Sequence, residues 1–337
     1  MKMLNNQVVS LQDKFLPAHQ LTASLMDLAI SRGADKNRLM RGTGIFYEDI
    51  KTGSTALSAS QLLRLIGNTK HQVAGYDSAF LLGRRLFPGN YGNVSNALLH
   101  SRHLADALRI LNLLRMQICP FIQTQAYRDE GQYHLIMHDA LGCGEHWQFL
   151  LEAYCTALVS ASKLMLGRRI PFHFEFPFER PRYIQEYEEN LGFRVKFSQP
   201  LLRIRVDLCW LTEPFPQPSQ SLKWYAVKQA RLNNAVAKGF LEAIRCCLLQ
   251  HRQATLQQVA ALFAMSPATF KRKLKLHGTC FQQLQDELGR QQAIYCLQVK
   301  RMNNEDTANM MEFTDVPNFR RAVKRWTGLT PSQLRLG

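Results

Sequence analysis

The sequence carries none of the short motifs that announce the common enzyme chemistries. It has no GxxxxGK[ST] loop to cradle phosphates, no GxGxxG dinucleotide turn and no GxSxG nucleophile elbow. Nucleotide, nicotinamide and serine-hydrolase sites of the familiar kinds are therefore excluded, and no cofactor is expected. Eight cysteines are present (Cys119, Cys143, Cys155, Cys209, Cys246, Cys247, Cys280 and Cys296), yet none falls in a CxxC pair or at Cys/His zinc spacing. They read as reduced thiols of a cytoplasmic protein, not as a disulfide framework. A long uncharged apolar run is missing too. The most apolar stretch, Trp147–Gly167, includes Glu152, Lys163 and several hydroxyls, which suits a buried helix better than a membrane span. The opening residues MKMLNNQVVSLQDKF lack the apolar core of a signal peptide. Acidic residues are scarce as well: 26 Asp and Glu against 42 Lys and Arg leave a formal charge of +16 over 337 residues.

That excess has a location. From Val236 onward there are 15 Lys and Arg against 7 Asp and Glu, a net +8 in 102 residues, while the preceding 235 residues share the other +8. A basic third of this density points to an anionic partner, and clustering of the charge on short helices favours nucleic acid over a membrane surface.

The clusters have a form. Leu256, Val259, Ala260 and Phe263 recur at helical spacing, Ala264 and Met265 make a tight turn, and Ser266-Pro267 caps and opens a second helix. That helix carries Lys271, Arg272, Lys273 and Lys275 opposite Phe270 and Leu274. The pattern repeats: a scaffold at Asp306–Met311, a turn at Glu312–Thr314, Asp315 as N-cap, then Arg320, Arg321, Lys324 and Arg325 opposite Phe319, Val323 and Trp326. A recognition helix needs one apolar stripe against its scaffold and one basic stripe towards DNA. The intervening helix, Phe281–Arg301, is roughly 30 Å long at about 1.5 Å per residue. One turn of duplex is about 34 Å, so two such units can enter successive major grooves.

These residues resemble the DNA-binding domain of the AraC/XylS family of bacterial transcription regulators. NFRRAVKRWTGLTPSQLR (Asn318–Arg335) follows the family signature almost position by position, and MSPATFKRKLKLHGTCFQQL (Met265–Leu284) follows the first unit nearly as well. The resemblance runs from near Lys238 to the end. It implies an all-α C-terminal domain, residues 238–337, with two helix–turn–helix units joined by a long helix. By family position, Ala268, Thr269, Lys271, Arg272 and Lys275 of the first unit would meet DNA. Val316, Pro317, Asn318, Arg320, Arg321 and Lys324 would do so in the second. Thr307 stands where the family has Ile, Glu312 where it has a turn Gly, and Gly289 where it has Arg. Each departure predicts a second unit or spacer held less tightly than the first, since Gly inside a helix costs roughly 1 kcal/mol against Ala. The partners implied are double-stranded promoter DNA and RNA polymerase, with a small-molecule effector and a homodimer both compatible and no membrane.

The rest of the chain reads as an α+β domain, residues 1–215. Helices are expected over Pro17–Arg32, Arg38–Gly42, Ser58–Thr69, Ser78–Leu86, Val94–Ser101 and Leu104–Leu114, and a hairpin over Phe121–Tyr127 and Tyr133–Asp139 around DEGQ. A long helix over Glu145–Leu166 follows, then a strand at Ile170–Phe176 with Phe172, Phe174 and Phe176 on one face, a helix at Arg182–Asn190 and strands at Phe193–Phe197 and Leu202–Leu208. PQPSQS (Pro216–Ser221) reads as a linker within residues 216–237, and Leu222–Gln250 as helical. PFHFEFPFERPRYIQEYEENLGFRVKFSQP and LFPGNYGNVSNALLHSRHLADALRILNLL resemble the N-terminal regulatory domain of an AraC/XylS subset, historically labelled arabinose-binding. That likeness implies effector sensing or dimerisation without naming an effector.

Three constellations invite other chemistry. His134 and His138 lie four apart, a zinc spacing on a helix but not on the strand expected here. Cys143 and His146 are close in GCGEHW, yet no third partner or oxyanion loop accompanies them. The aromatic strand Phe172–Phe176 suits ordinary core better than a ligand pocket. The reading that results is a sequence-specific transcription regulator controlled through its N-terminal domain, and not an enzyme. The alternative is a small-molecule enzyme domain fused to a DNA-binding tail.

Overall fold

The computed structural model describes residues 8–89, 91–232 and 238–336. Its centre is a five-stranded sheet: β1 (Ile122–Arg128), β2 (Gln132–Asp139), β3 (His173–Glu175), β4 (Val195–Lys196) and β5 (Arg203–Asp207). Strand order is β1-β2-β5-β3-β4, with every pairing antiparallel except β3–β4. The hairpin between β1 and β2 forms where the DEGQ turn predicts it. Asp129 accepts hydrogen bonds from the amides of Gly131 (3.0 Å) and Gln132 (2.7 Å), closing the turn locally.

Helices pack around this sheet in two cores. The helix Trp147–Leu166 lies between them, giving Leu151, Cys155 and Val159 to one and Phe149, Leu150 and Ala153 to the other. It is long and apolar enough to cross a membrane, but here it is the core helix of the fold. Its buried Glu152 accepts hydrogen bonds from Tyr187 (2.6 Å), Tyr183 (2.9 Å) and Gln148 (3.0 Å). Burial raises the Glu152 pKa and these donors only partly reverse it. The aromatic strand is core as expected: Phe172, Phe174 and Phe176 are buried, with Phe174 stacked on Phe176 and tilted against Phe172. Glu175, on the opposite face, is buried against Arg203 (2.6 Å) and Arg205 (3.0 Å).

Two expectations need correction. Pro17–Arg32 is not one helix: Lys14–Pro17 pairs as a strand with Ala56–Ser58, a kink with Gln20 out of helical conformation interrupts Ala18–Thr22, and the α-helix begins at Ala23. Leu222–Gln250 is likewise not one helix. Gln220–Leu232 buries Lys223, Ala226, Val227 and Ala230 in the N-terminal core, where Lys223 meets buried Asp106 at 2.7 Å. The next helix, Phe240–Gln250, starts afresh at Gly239, whose backbone is extended and pairs in parallel with Val9. A Cβ on Gly239 would lie 2.3 Å from the Ala140 carbonyl oxygen, so this contact with the end of β2 requires glycine.

Candidate nucleic-acid interface

The first helix–turn–helix unit assembles from local signals. Thr255 and Gln258 form a capping box at the start of Leu256–Leu262. Ala264 turns the chain in the left-handed region (φ 53°). The Ser266 hydroxyl then accepts from the Thr269 amide (3.2 Å) and Pro267 opens the recognition helix Pro267–Leu276. Phe270 and Leu274 seat that helix on Phe240 and Phe263, with Phe240 edge-on to both other rings at 5.8–6.0 Å. Lys273 lies 4.6 Å over the Phe240 ring, so its charge is committed to the scaffold. Ala268, Thr269, Lys271, Arg272 and Lys275 are all exposed.

The connecting helix runs over Phe281–Ile294 and continues as a π-helical turn through Val299. The second unit follows. Asn303 caps the scaffold Asn304–Met310, and Glu312 takes the left-handed turn position (φ 58°) that Ala264 takes in the first unit. Asp315 caps the recognition helix Val316–Thr327, which ends at Gly328. Thr307 is fully buried, and its hydroxyl donates to the Asn303 carbonyl (2.6 Å), so the departure from Ile is absorbed by a satisfied hydroxyl. Gly289 has a role that helix propensity alone misjudges. A Cβ there would lie 2.7 Å from the Trp326 ring, so glycine opens the notch in which Trp326 seats the second recognition helix. The indole N–H donates to Asp286 (2.9 Å), which also pairs with Arg325 (2.9 Å). The absence of a side chain at 289 therefore lets this unit dock, contrary to the weakening expected.

Pro317, Arg320, Arg321 and Lys324 are exposed, while Val316 and Asn318 are half-buried. Val316 leans into the core around Phe319 and Val323. The Asn318 amide donates to Thr314 (3.1 Å) and Asp315 (2.7 Å), and its oxygen accepts from Arg321 (2.5 Å). Asn318 thus orients Arg321. Among the described residues Lys271, Arg272, Lys275, Arg320, Arg321 and Lys324 form no ion pair. Two basic helices therefore present six cations without ion pairs among the described residues, Arg321 oriented by Asn318, the arrangement phosphate and base-edge contacts need.

Sequence reasoning missed a second surface: the helix Phe240–Gln250 and the connecting helix dock on the N-terminal sheet, and His277 at the end of the first recognition helix docks on the Leu141 carbonyl just beyond it. The strand face holding Gln123, Gln125, Tyr127, Ile136 and His138 meets the C-terminal helices. His138 joins Glu287 (2.5 Å) and Gln291 (3.1 Å), Gln291 donates to Gln125 (2.5 Å), and Tyr295 packs edge-on to Tyr127 at 5.1 Å. Ile136 and Leu201 share a core with Ala293, Ile294, Leu297 and Phe319. Arg245 is buried between Glu287 (3.0 Å), Gln123 (3.3 Å) and the Asp139 carbonyl (2.8 Å). Burial alone would raise the Glu287 pKa, but the His138 hydrogen bond and the Arg245 charge prevail and lower it to about 2. His277 is buried and its pKa is lowered by burial. As a neutral ring it donates from Nδ1 to the Leu141 carbonyl and accepts from Ser10 at Nε2 (2.8 Å). The other histidine of the zinc-spaced pair, His134, is buried against Asp129 at 2.7 Å, so each member is held by protein partners. Cys143 is buried beside Asp139, both of which raise its thiol pKa, and does not present a thiolate.

Residues 33–215 match the family described as the arabinose-binding domain of AraC transcription regulators, and residues 259–337 match a helix–turn–helix domain family. The chain is 23% identical over 318 residues to an ornithine utilization regulator of Pseudomonas aeruginosa, covering 93% of this chain and 94% of that one. It is 26% identical over 144 residues, 41% of this chain and 42% of the other, to an uncharacterised helix–turn–helix transcriptional regulator of Mycobacterium bovis. Among solved structures, transcriptional regulator CdpR from Pseudomonas aeruginosa aligns with 19% identity and a TM-score of 0.33, over 77% of this chain and 86% of that one.

Proposed function

Since the chain belongs to the AraC family of transcription regulators, we propose that its two recognition helices read promoter DNA in successive major grooves while residues 1–215 sense an effector. In this reading residues 238–337 are the DNA-binding part, and of the expected joining segment 216–237 the helix Gln220–Leu232 packs on the N-terminal core. The observation that carries this reading is the set of six exposed, unpaired cations on two capped helices. Arg272 and Thr269 face outward with side chains suited to base edges. In the second helix Pro317 offers no donor and Val316 is half-buried, so that unit contributes more phosphate contact than base readout. RNA polymerase is the proposed second macromolecular partner, a homodimer the proposed form on paired sites, and the cytoplasm the proposed location.

Footprinting on genomic fragments enriched by the purified protein tests this. The expected pattern is two protected major-groove segments about 10 base pairs apart. Arg272→Ala should weaken binding by roughly 1–3 kcal/mol and relax base preference in one segment. Lys324→Ala should weaken all sequences alike. Equal loss of specificity from both substitutions, or one protected segment only, overturns the assignment.

A further inference from the structure

The N-terminal domain contains a cavity of about 340 Å³ between the helices Leu104–Leu113 and Trp147–Leu166 and the β1–β2 hairpin. That volume lies in the range of about 300–1,000 Å³ usual for small-molecule sites. Its walls are aliphatic, with Leu104, Leu108, Leu135, Met137, Leu158 and Met165 prominent. A sugar needs a polar partner for nearly every hydroxyl, since a buried hydroxyl without one is costly, and the aliphatic share of these walls leaves too few.

The polar groups that do line the cavity fall into two sets. Deep inside, the Tyr91 and Tyr154 hydroxyls are buried without a hydrogen-bond partner among the described residues. Burial drives both phenol pKa values up, so both remain neutral donors. At the mouth, the exposed lining residues are Arg109, Asn112, Ala126 and Arg128. Arg128 sits 5.7 Å over the Tyr133 ring, and Arg109 lines the same mouth. Neither has an ion-pair partner among the described residues. Arg115 also lines the cavity, but Glu242 neutralises it at 2.5 Å. The free positive charge is therefore at the rim.

We propose that this cavity is the effector site and that it takes an apolar-bodied carboxylic acid, of fatty-acid or aryl-acid type. The carboxylate lies between Arg109 and Arg128, the hydrocarbon body lies against the aliphatic walls, and a distal oxygen is met by Tyr91 and Tyr154. This rests on the reading of residues 1–215 as the sensing domain and adds its site and ligand class.

The test is thermal melting and calorimetry on the full chain with octanoate, decanoate and phenylbutyrate. Their methyl esters, arabinose and ornithine serve as comparators. The acids should raise the melting temperature, more with a longer body, and the esters should bind at least tenfold more weakly. Arg109→Gln with Arg128→Gln should remove the acid-over-ester preference, and Leu158→Trp should abolish binding by filling the cavity. Gel-shift affinity for an enriched operator, measured without ligand on the same variants, should match wild type and shows that the protein is folded. No stabilisation by any of the acids, or stabilisation equal for acid and ester, overturns the proposal. So does stabilisation by arabinose or ornithine alone, though a response to either leaves effector sensing by this domain standing. Binding indifferent to Leu158→Trp in a variant that still holds DNA overturns the cavity itself as the site.

Discussion

Gly289→Ala tests whether the second recognition helix is seated by the absence of a side chain. Helix propensity alone makes the change favourable by about 1 kcal/mol, since Gly289 is interior to Phe281–Ile294. Against that stands the Trp326 ring, two of whose atoms would lie 2.7 and 2.8 Å from the new Cβ. Ordinary carbon contact is about 3.5–4.0 Å, so the ring must retreat by roughly 1 Å. It is not free to do so, because its N–H is held by Asp286 at 2.9 Å and its other side meets Phe313 at a centroid distance of 6.1 Å. Overpacking of this kind costs about 1–3 kcal/mol, and losing a hydrogen bond to a carboxylate adds about 1.5–3 kcal/mol where the site is dry. Trp326 is only half-buried, which holds the sum to its lower range. The expected net effect is a loss of about 1–3 kcal/mol in urea unfolding, with weaker operator binding in a gel shift. Replacing Trp326 by Leu removes the clash, so Gly289→Ala should become neutral or stabilising in that background. Their coupling should be at least about 1 kcal/mol. A Gly289→Ala protein more stable than wild type, or penalties that simply add, would refute the notch.

Operator affinity should fall steeply with salt: six free cations at about 0.9 per phosphate give a log–log slope near −5, and a slope shallower than about −2 would exclude two engaged helices. Stability should also depend on acid. Glu287, faced by His138 and Arg245, has its pKa lowered to about 2 in the folded chain, against about 4.3 unfolded. Its stabilisation is complete above about pH 4.5 and is lost as pH falls towards 2, on the order of 3 kcal/mol in all. Urea unfolding between pH 6 and 3 should show this limb flattened in Glu287→Gln, and an unchanged slope there would discount the site. The two turns should differ in their response to glycine. Ala264→Gly relieves left-handed strain of about 1–2 kcal/mol at φ 53°, less about 0.4–1 kcal/mol of unfolded-state entropy, so a small gain in unfolding free energy is expected. Glu312→Gly gains similarly but loses the bond from Gln253 (2.6 Å), worth about 1 kcal/mol, and should be near neutral. A larger gain at 312 than at 264 would contradict that balance.

What could be read in the chain was whatever its neighbours in sequence determine. Ser266-Pro267 and Asp315 cap their helices through amides three residues on, and Asp129 closes its turn within four residues. The family likeness of both ends is carried by such local patterns. What could not be read depends on partners far along the chain. Arg115–Glu242 joins residues 127 positions apart, and His138–Glu287 joins residues 149 apart. Gly239 is required by its close approach to Ala140, and Gly289 by the ring of Trp326. The cavity was invisible for a related reason. Leu108, Leu135 and Leu158 look like core in sequence, and only the buried, unpartnered hydroxyls of Tyr91 and Tyr154 distinguish a wall from a filled interior.

The hairpin connects the two functions through the period of a strand. Successive side chains point to opposite faces. Thr124, Ala126 and Arg128 of β1 and Tyr133, Leu135 and Met137 of β2 line the cavity. Their alternates Gln125, Tyr127, Ile136 and His138 hold the C-terminal helices. Arg115 makes a second link, running from the cavity wall to Glu242 at the start of the first C-terminal helix. A ligand shifts an equilibrium only by its differential affinity for two arrangements, and a single sheet one residue thick leaves little slack between the arrangements on its two faces. Apart from the half-buried Val316 and Asn318, the proposed recognition residues are exposed in this docked arrangement, so docking does not mask the proposed DNA surface. The docking contacts reach the first unit through His277 and the helix Phe240–Gln250 through Arg245, while Ile136 and Leu201 share the apolar core of the second unit. A ligand in the proposed site that displaced the hairpin would also displace the helices packed on its other face.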